Sequence, residues 1–147
     1  MTPNQKISEG LSILASLDPV SQTAATVTTG WVSVANFHQL MAIIATGVLG
    51  ASATVDAKIQ QATDGSGTGA KDITGKAITQ IVKASGDNKQ ATISFRASDL
   101  DVANSFNYVR VSVTVGTATS LVAAYLVGAP RYEDASALNQ AGVVQSV

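Results

Sequence analysis

The residues that could carry chemistry in this chain are few and lie far apart. His38, in the sequence NFHQL, is the single histidine, and the chain has no cysteine. Any imidazole base or imidazole metal ligand would therefore have to be His38. No motif places a nucleophile or an orienting acid beside it, which favours a structural histidine. Because the chain has no thiol, it can form no disulfide, no thiolate metal site and no cysteine nucleophile.

A glycine-rich stretch at residues 64–70, DGSGTGA, invites comparison with phosphate-binding loops. A P-loop needs Gly, four residues, Gly, Lys and then Ser or Thr ahead of a helix. The run from Ala70 to Ala77 has alanine at the first and the last of these positions. The stretch therefore predicts a flexible hairpin loop and no phosphate site.

Oxygen ligands cluster once, at Asp99, Asp101 and Asn104. Calcium takes six to eight oxygen ligands from several positions of a chain, and three are too few. Short Asx turns or a helix cap account for the same residues. We therefore expect no metal and no cofactor, and with no readable set of nucleophile, base and orienting group we expect the protein not to be an enzyme.

The composition favours assembly with other proteins. Only 13% of the 147 residues are charged, whereas an ordinary soluble domain carries about 25%. A surface with few ions is easier to bury against a neighbour, because fewer charges must lose their water. The formal net charge of −1 and the lack of a basic cluster argue against nucleic-acid binding.

The sequence gives no sign of export or of a membrane span. The N-terminus lacks the long apolar run of a secretory signal, which predicts synthesis in the cytoplasm without export. The most apolar stretch, Leu40 to Val55, falls short of the roughly 20 residues that cross a bilayer. We interpret it as a buried hairpin that turns at Gly47 to Gly50.

Alternation of apolar and polar residues is the dominant pattern from Thr26 onward. It is clearest at residues 107–116, where the valines are separated by polar side chains, and it recurs at 53–61 and 91–97. Such a period of two predicts strands with one covered face. Residues 40–45 and 121–127 are apolar at nearly every position, which predicts strands that are central or interfacial.

The spacing of these segments predicts an all-β fold: a β-sandwich of about eight antiparallel strands, jelly-roll-like, with a fibronectin-like strand order left open. Hairpin turns are predicted at Gly65–Gly69, Ser85–Asn88 and Gly116–Thr119. We also expect a β-bulge at Gly75 and one helical turn at Asp99–Asp101.

The two ends differ from the middle and are interpreted as arms. The predicted organisation is an N-terminal arm at 1–22, a sandwich domain at 23–130 and a C-terminal arm at 131–147. Thr2, Pro3 and Gln5 resemble a capping box that would start a helix, although residues 11–17 also alternate as a strand would. We expect both arms to pack on neighbouring subunits.

Large apolar and aromatic side chains are the candidate contact residues. Interfaces are enriched in Tyr and Trp, and nothing in the sequence marks a cleft for a sugar. The predicted interface residues are Leu11, Leu14, Leu17, Trp31, Phe37, Tyr108, Tyr125 and Tyr132.

Two stretches of the chain, at residues 26–80 and 100–132, resemble a known class of protein. They read TVTTGWVSVANFHQLMAIIATGVLGASATVDAKIQQATDGSGTGAKDITGKAITQ and LDVANSFNYVRVSVTVGTATSLVAAYLVGAPRY. They are similar to small structural virion proteins of tailed bacteriophages and related prophages, across most of residues 23–132. The motifs are strand and turn patterns, with no catalytic signature among them.

The resemblance implies a capsid decoration, or cement, protein on the outer surface of the virion. Its implied partners are copies of itself, forming a trimer, and the major capsid protein, with no nucleic acid and no membrane. The alternatives are a tail or head-completion component, or a carbohydrate-binding β-sandwich used in host attachment.

Overall fold

The polypeptide folds as two antiparallel β-sheets packed face to face. A computed structural model describes residues 4–132 and 134–147, and within them ten strands are present. Their bounds are β1 (Ser12–Gln22), β2 (Ala25–Thr28), β3 (Val32–Ser33), β4 (Phe37–Thr46), β5 (Thr54–Ala62), β6 (Lys71–Ala77), β7 (Ile81–Val82), β8 (Gln90–Arg96), β9 (Tyr108–Gly116) and β10 (Ser120–Pro130). Two one-turn helices, α1 (Ile7–Gly10) and α2 (Lys83–Gly86), complete the regular elements together with short 3-10 turns.

The strand order identifies a jelly roll. Sheet A has the order β1-β10-β4-β8, and sheet B has the order β2-β9-β5-β6, with the short β3 and β7 pairing to β9 and β5. Among the eight longer strands, the first pairs with the last, the second with the seventh, the third with the sixth and the fourth with the fifth. A long hairpin wound into a barrel-like sandwich gives this order. It confirms the predicted fold and removes the fibronectin-like alternative.

The apolar residues of the alternating segments form the core between the two sheets, as predicted. Val109, Val111 and Val113 of β9 are almost fully buried, and they face the inward side chains of sheet A, such as Ile44 and Leu126. Burial of one such side chain contributes about 1.5–3 kcal/mol, so the repeated pattern supplies most of the favourable free energy of folding. The apolar segments 40–45 and 121–127 are the two central strands of sheet A, as predicted.

Three of the predicted hairpin turns are wrong. Gly47–Gly50 leads from β4 in sheet A to β5 in sheet B, and Gly116–Thr119 leads from β9 to β10 in the same way. Ser85–Asn88 also joins the two sheets. Alternation assigns a side chain to a face, but it does not identify the neighbouring strand, and in this topology consecutive strands mostly lie in opposite sheets. Only Gly65–Gly69, between the paired β5 and β6, is a hairpin loop as predicted.

Of two smaller predictions, the bulge at Gly75 is confirmed and the helical turn at Asp99–Asp101 is displaced. The pairing of β5 with β6 shifts register between Lys58 and Gln60, and Gly75 opposite has φ +76°, where glycine avoids the steric cost that other residues bear. The chain forms two 3-10 turns at Ala97–Asp99 and Val102–Asn104, on either side of Leu100 and Asp101, so the single turn predicted at Asp99–Asp101 is wrong in its position.

The N-terminal segment departs from the predicted arm. Thr2 and Pro3 of the proposed capping box lie outside the described residues, and helix is limited to α1. From Ser12 onward the chain forms β1, which pairs with β10 along most of its length. A short helix carries the full cost of nucleation, whereas the strand buries Leu14 and Ala15 in the sandwich. Residues 12–22 therefore belong to the sandwich domain.

The C-terminal segment packs on its own chain. The Ser12 hydroxyl donates to the Ala135 carbonyl at 2.6 Å, and the Gln140 N–H donates to the Ile13 carbonyl at 2.7 Å. The Ile13 N–H donates in turn to the Asn139 side-chain oxygen at 2.8 Å. These bonds occupy backbone groups at the free edge of β1, which would otherwise be open to pairing. Residues 135–140 thus contact β1 of the same subunit, where the sequence predicted contacts with neighbours.

Partly exposed carboxylates stabilise the connections between strands. The Lys83 ammonium donates to Asp87 at 2.6 Å and the Leu49 N–H donates to it at 2.9 Å, and these bonds hold the pKa of Asp87 below its ordinary value. In the glycine loop, the hydroxyl and then the N–H of Thr68 lower the pKa of Asp64 in the same way. Each ionised carboxylate favours the folded loop.

Stability is therefore expected to fall in acid. A carboxyl group whose pKa is lower in the folded chain stabilises the fold above its unfolded value, near 3.8, and this contribution is lost as the pH falls through the folded value. We expect the free energy of unfolding in urea to change little from about pH 7 to 5 and to decrease below about pH 4. Asp87→Asn should flatten part of that decrease. A profile that stays level down to about pH 3 would contradict the assignment.

Candidate assembly surface

The described residues offer little chemistry. No group of three or more His, Cys, Asp or Glu side chains among them is placed to hold a metal ion. No helix within residues 4–132 and 134–147 has the length and apolar character needed to cross a membrane. The carboxylate of Asp101 accepts from Lys71 and from the Asn104 amide, and Asp99 accepts the Arg96 N–H at 2.9 Å. Asp99 thus caps the Ala97–Asp99 turn, as the cap interpretation predicted, whereas the Asp101 carboxylate binds the side chains of Lys71 and Asn104.

The outer face of sheet A is apolar along its two central strands. In β4 and β10 the fully buried residues, such as Ile44 and Leu126, point inward, so their neighbours in sequence point outward. The outward residues pair across the strands, Tyr125 with Ile43 and Val127 with Met41. We call this surface the apolar face; it consists of the exposed or partly exposed Met41, Ile43, Ala45, Leu121, Tyr125 and Val127 and of Ala123, which is buried.

In the central rows, the strands on either side extend this surface without adding charge. By register, Ser16 of β1 flanks Tyr125, and Thr92 of β8 flanks Ile43. Leu121, at the end of the apolar face, is 45% exposed. Four adjacent strands therefore present an outer surface whose central rows contain only apolar and small neutral side chains.

Charges stand at two opposite corners of this surface. Asp18 follows Ser16 at a bulge of β1, within 3.3 Å of the Ser16 hydroxyl. Arg96 ends β8 at the other extreme, paired with Gln39 of β4. Among the described residues, Asp18 and Arg96 form no ion pair within 4.0 Å, although the charge of Arg96 contributes to lowering the pKa of Asp99. One corner is therefore acidic and the other basic.

A groove of about 380 Å³ lies at the Arg96 end of the apolar face. Its apolar wall is formed by Leu11, Met41, Phe95 and Val127. On its outer rim, the Lys76 ammonium donates to the Ser94 carbonyl at 3.0 Å and pairs with Asp99 at 3.3 Å. The Arg96 N–H and then Lys76 keep the pKa of Asp99 below its ordinary value.

These contacts also block part of the free edge of β8. The Ser94 carbonyl is bound by Lys76 and the Arg96 N–H by Asp99, so neither is free to pair with another strand. The edge of β1 is covered by Asn139 and Gln140. With its edges covered in these places, sheet A presents its face more readily than its margins to a partner.

The predicted interface residues fall into separate places. Tyr125 lies on the apolar face and Leu11 lines the groove beside it, while Tyr132, beyond the end of β10, is 90% exposed. Leu14 and Phe37 belong to the core instead and pack on either side of Gly128. A Cβ atom at Gly128 would lie within 2.8 Å of both side chains, so these two residues stabilise the sandwich and present no contact surface.

Leu17, Trp31 and Tyr108 complete the predicted set. Leu17 packs partly buried against the core. Trp31 and Tyr108 meet the glycine loop at sheet B, where a Cβ atom at Gly67 would lie 2.6 Å from the Trp31 Nε1 atom. The Arg110 guanidinium stands 4.5 Å from the centre of the Trp31 ring. Arg110 and the loop thus engage Trp31, and this cluster fixes the loop.

The aliphatic members of the apolar face were missed as individual contact residues. The sequence marked their strands as central or interfacial; both strands are central in sheet A, and the interfacial role stays a prediction. A choice based on aromatic residues found Tyr125 and passed over Met41, Ile43 and Val127. The signal that finds them is the unbroken apolar run itself.

Comparisons with known proteins place the chain in no family. No protein-family profile and no curated protein matches it. Solved structures share the general arrangement at low identity. A CBM4 structure is 15% identical over 78% of this chain and 67% of its own, with a TM-score of 0.42. A broad bean stain virus structure is 12% identical over 90% and 89%, with a TM-score of 0.44.

A third structure, of the SPBc2 prophage-derived protein YomS, is 13% identical over 76% of this chain and 94% of its own, with a TM-score of 0.38. At TM-scores below 0.5, these likenesses do not assign a function to the chain.

Proposed function

We propose that this chain is a structural virion protein, a capsid decoration protein that binds the assembled head as a homo-oligomer and stabilises the shell. The observation that carries the proposal is the apolar face, a surface without charge in its central rows, whose side chains other than Ala123 are at least partly exposed in the single chain. Such a surface is characteristic of proteins that work by association. The resemblance of residues 23–132 to virion proteins of tailed bacteriophages supports the capsid setting.

The proposed role requires binding and no catalysis. A protein that binds the assembled shell, and not its separate subunits, stabilises the shell by mass action. Each contact can be weak, because many copies attached to one particle raise the effective concentration of the others. The partners are copies of this chain and the major capsid protein, and we propose that the protein is not an enzyme.

A tail or head-completion role would use the same kind of surface and differs in stoichiometry. A decoration protein covers the whole shell in many copies, whereas a completion ring closes on itself with few copies per particle. Quantitative mass spectrometry of purified particles therefore separates the two roles.

Removal of the protein should weaken the particle. We expect particles assembled without it to release their DNA at a lower temperature than complete particles, because the stabilising binding free energy is missing. The release is followed by the fluorescence of a DNA-binding dye during heating, and addition of the purified protein should restore the original temperature. Equal release temperatures with and without the protein would reject the decoration role.

A further inference from the structure

We propose, building on the structural role above, that the apolar face binds the apolar face of a second copy of this chain about a two-fold axis. The contact is isologous, since the same surface is used on both copies. In the proposed function, this contact forms the homo-oligomer, and another surface of each copy contacts the shell.

The position of the covered edges favours pairing through the face. Lys76 and Asp99 occupy backbone groups at the free edge of β8, and Asn139 and Gln140 do so at the free edge of β1. A second copy therefore has restricted access to sheet A by strand addition. The apolar face remains open, and burial of its side chains supplies the driving force.

Charge complementarity selects a second copy as the occupant. The central rows carry no charge, so two copies can meet there without stripping water from an ion. Asp18 and Arg96 stand at opposite corners, about 25 Å apart by strand spacing and rise. Consider a two-fold axis that lies in the plane of the face and crosses the line between them at its midpoint, perpendicular to it. Rotation about this axis brings Asp18 of each copy to Arg96 of the other. One symmetry operation thus places an acidic and a basic side chain of the two copies opposite each other at two symmetric places.

The same axis predicts the form of the dimer. It crosses the strands obliquely, so the strands of the two copies cross at a steep angle, near the orthogonal class of sheet packing. Four strands and about five rows of side chains give a face of roughly 500 Å², below the roughly 800 Å² per partner of a standard stable interface. The pair is therefore reversible and depends on protein concentration.

The two-fold contact also differs from the trimer that the resemblance implies. Pairing through one isologous surface gives dimers, or larger assemblies with an even number of chains. Sedimentation equilibrium of the purified chain across protein concentrations distinguishes these masses directly. We expect a monomer and dimer in equilibrium at concentrations of about 1–100 µM, as suits a small interface.

A charge-reversal experiment tests the proposed axis. Asp18→Lys places a lysine against Arg96 of the second copy, and Arg96→Glu places a glutamate against Asp18, each at two symmetric places. We expect either variant alone to dimerise about tenfold more weakly, because two weak attractions become repulsions. An equimolar mixture of the two variants restores both opposite-charge contacts in the heterodimer, so its affinity should return to within about threefold of the original.

The mixture separates a specific contact from a general defect, because a variant that is merely misfolded is not rescued by the other. Thr74→Lys, an added charge on an exposed position of sheet B, is the matched control and should leave dimerisation unchanged. The proposal is overturned if the chain is monomeric at all accessible concentrations, if it is a trimer indifferent to these substitutions, or if the mixture shows no rescue. The free chain alone is measured, so a failed shell-binding experiment does not affect the result.

Discussion

Leu126→Ala is expected to lower the free energy of unfolding by about 2–5 kcal/mol, whereas Val127→Ala, at the next residue, should lower it by about 1 kcal/mol or less. Leu126 points into the sandwich from a central strand and is fully buried. Its truncation removes apolar contact and leaves a cavity that close-packed neighbours cannot fill. Val127 points outward on the apolar face, where water is already present in the single chain.

Urea denaturation followed by tryptophan fluorescence measures both variants against the original chain, since Trp31 is the single tryptophan. Protein concentrations well below the dimer range keep association from adding to stability. Equal losses for the two alanine variants would contradict the assignment of inward and outward sides in β10, and with it the apolar face.

The pattern of residues was sufficient to predict this two-sidedness. The valines of β9, spaced by two, predicted a covered side, and every one of them is buried. In β4 and β10 the apolar run predicted that both sides avoid water, and sheet B covers only one of them. Local periodicity records the environment of each side chain, so it predicts class, core and exposed apolar surface together.

Strand neighbours could not be predicted in the same way. Gly47–Gly50 and Gly116–Thr119 have the composition of tight turns, yet both carry the chain across to the opposite sheet. Pairing between β1 and β10 joins the two ends of the sequence, and no local signal encodes it. Bringing the two ends of the chain together costs conformational entropy. Only the complete set of strand pairings offsets this cost, and that set is a property of the whole fold.

The candidate site shows the same division. Low charge and apolar strands predicted an adhesive protein, but the corners formed by Asp18 and Arg96 depend on the register of four strands that are distant in sequence. Likewise, Phe37 was assigned to an interface by residue type, whereas it lies inside the core, where the lack of a side chain at Gly128 leaves space for its ring. Residue type indicates what a side chain can do, and tertiary pairing decides where it does so.

Ile43→Lys should weaken self-association of the chain by about 100-fold or more. In a two-fold pair, one substitution places two lysines in the middle of an apolar contact, where each loses water without gaining an opposite charge. Ile43 is only partly buried in the single chain, so the free energy of unfolding should change by about 1 kcal/mol or less. Sedimentation equilibrium measures the association, and urea denaturation checks the fold.

Thr74→Lys adds the same charge to the exposed side of sheet B and controls for net charge. Binding of both variants to particles that lack the protein then connects the pair to the shell. If Ile43→Lys abolishes self-association while its copies still occupy the particle, the apolar face joins subunits and another surface holds the shell. If it dimerises as the original chain does, the apolar face is not where copies meet, because two unpaired ammonium groups cannot be buried there without a large loss of affinity.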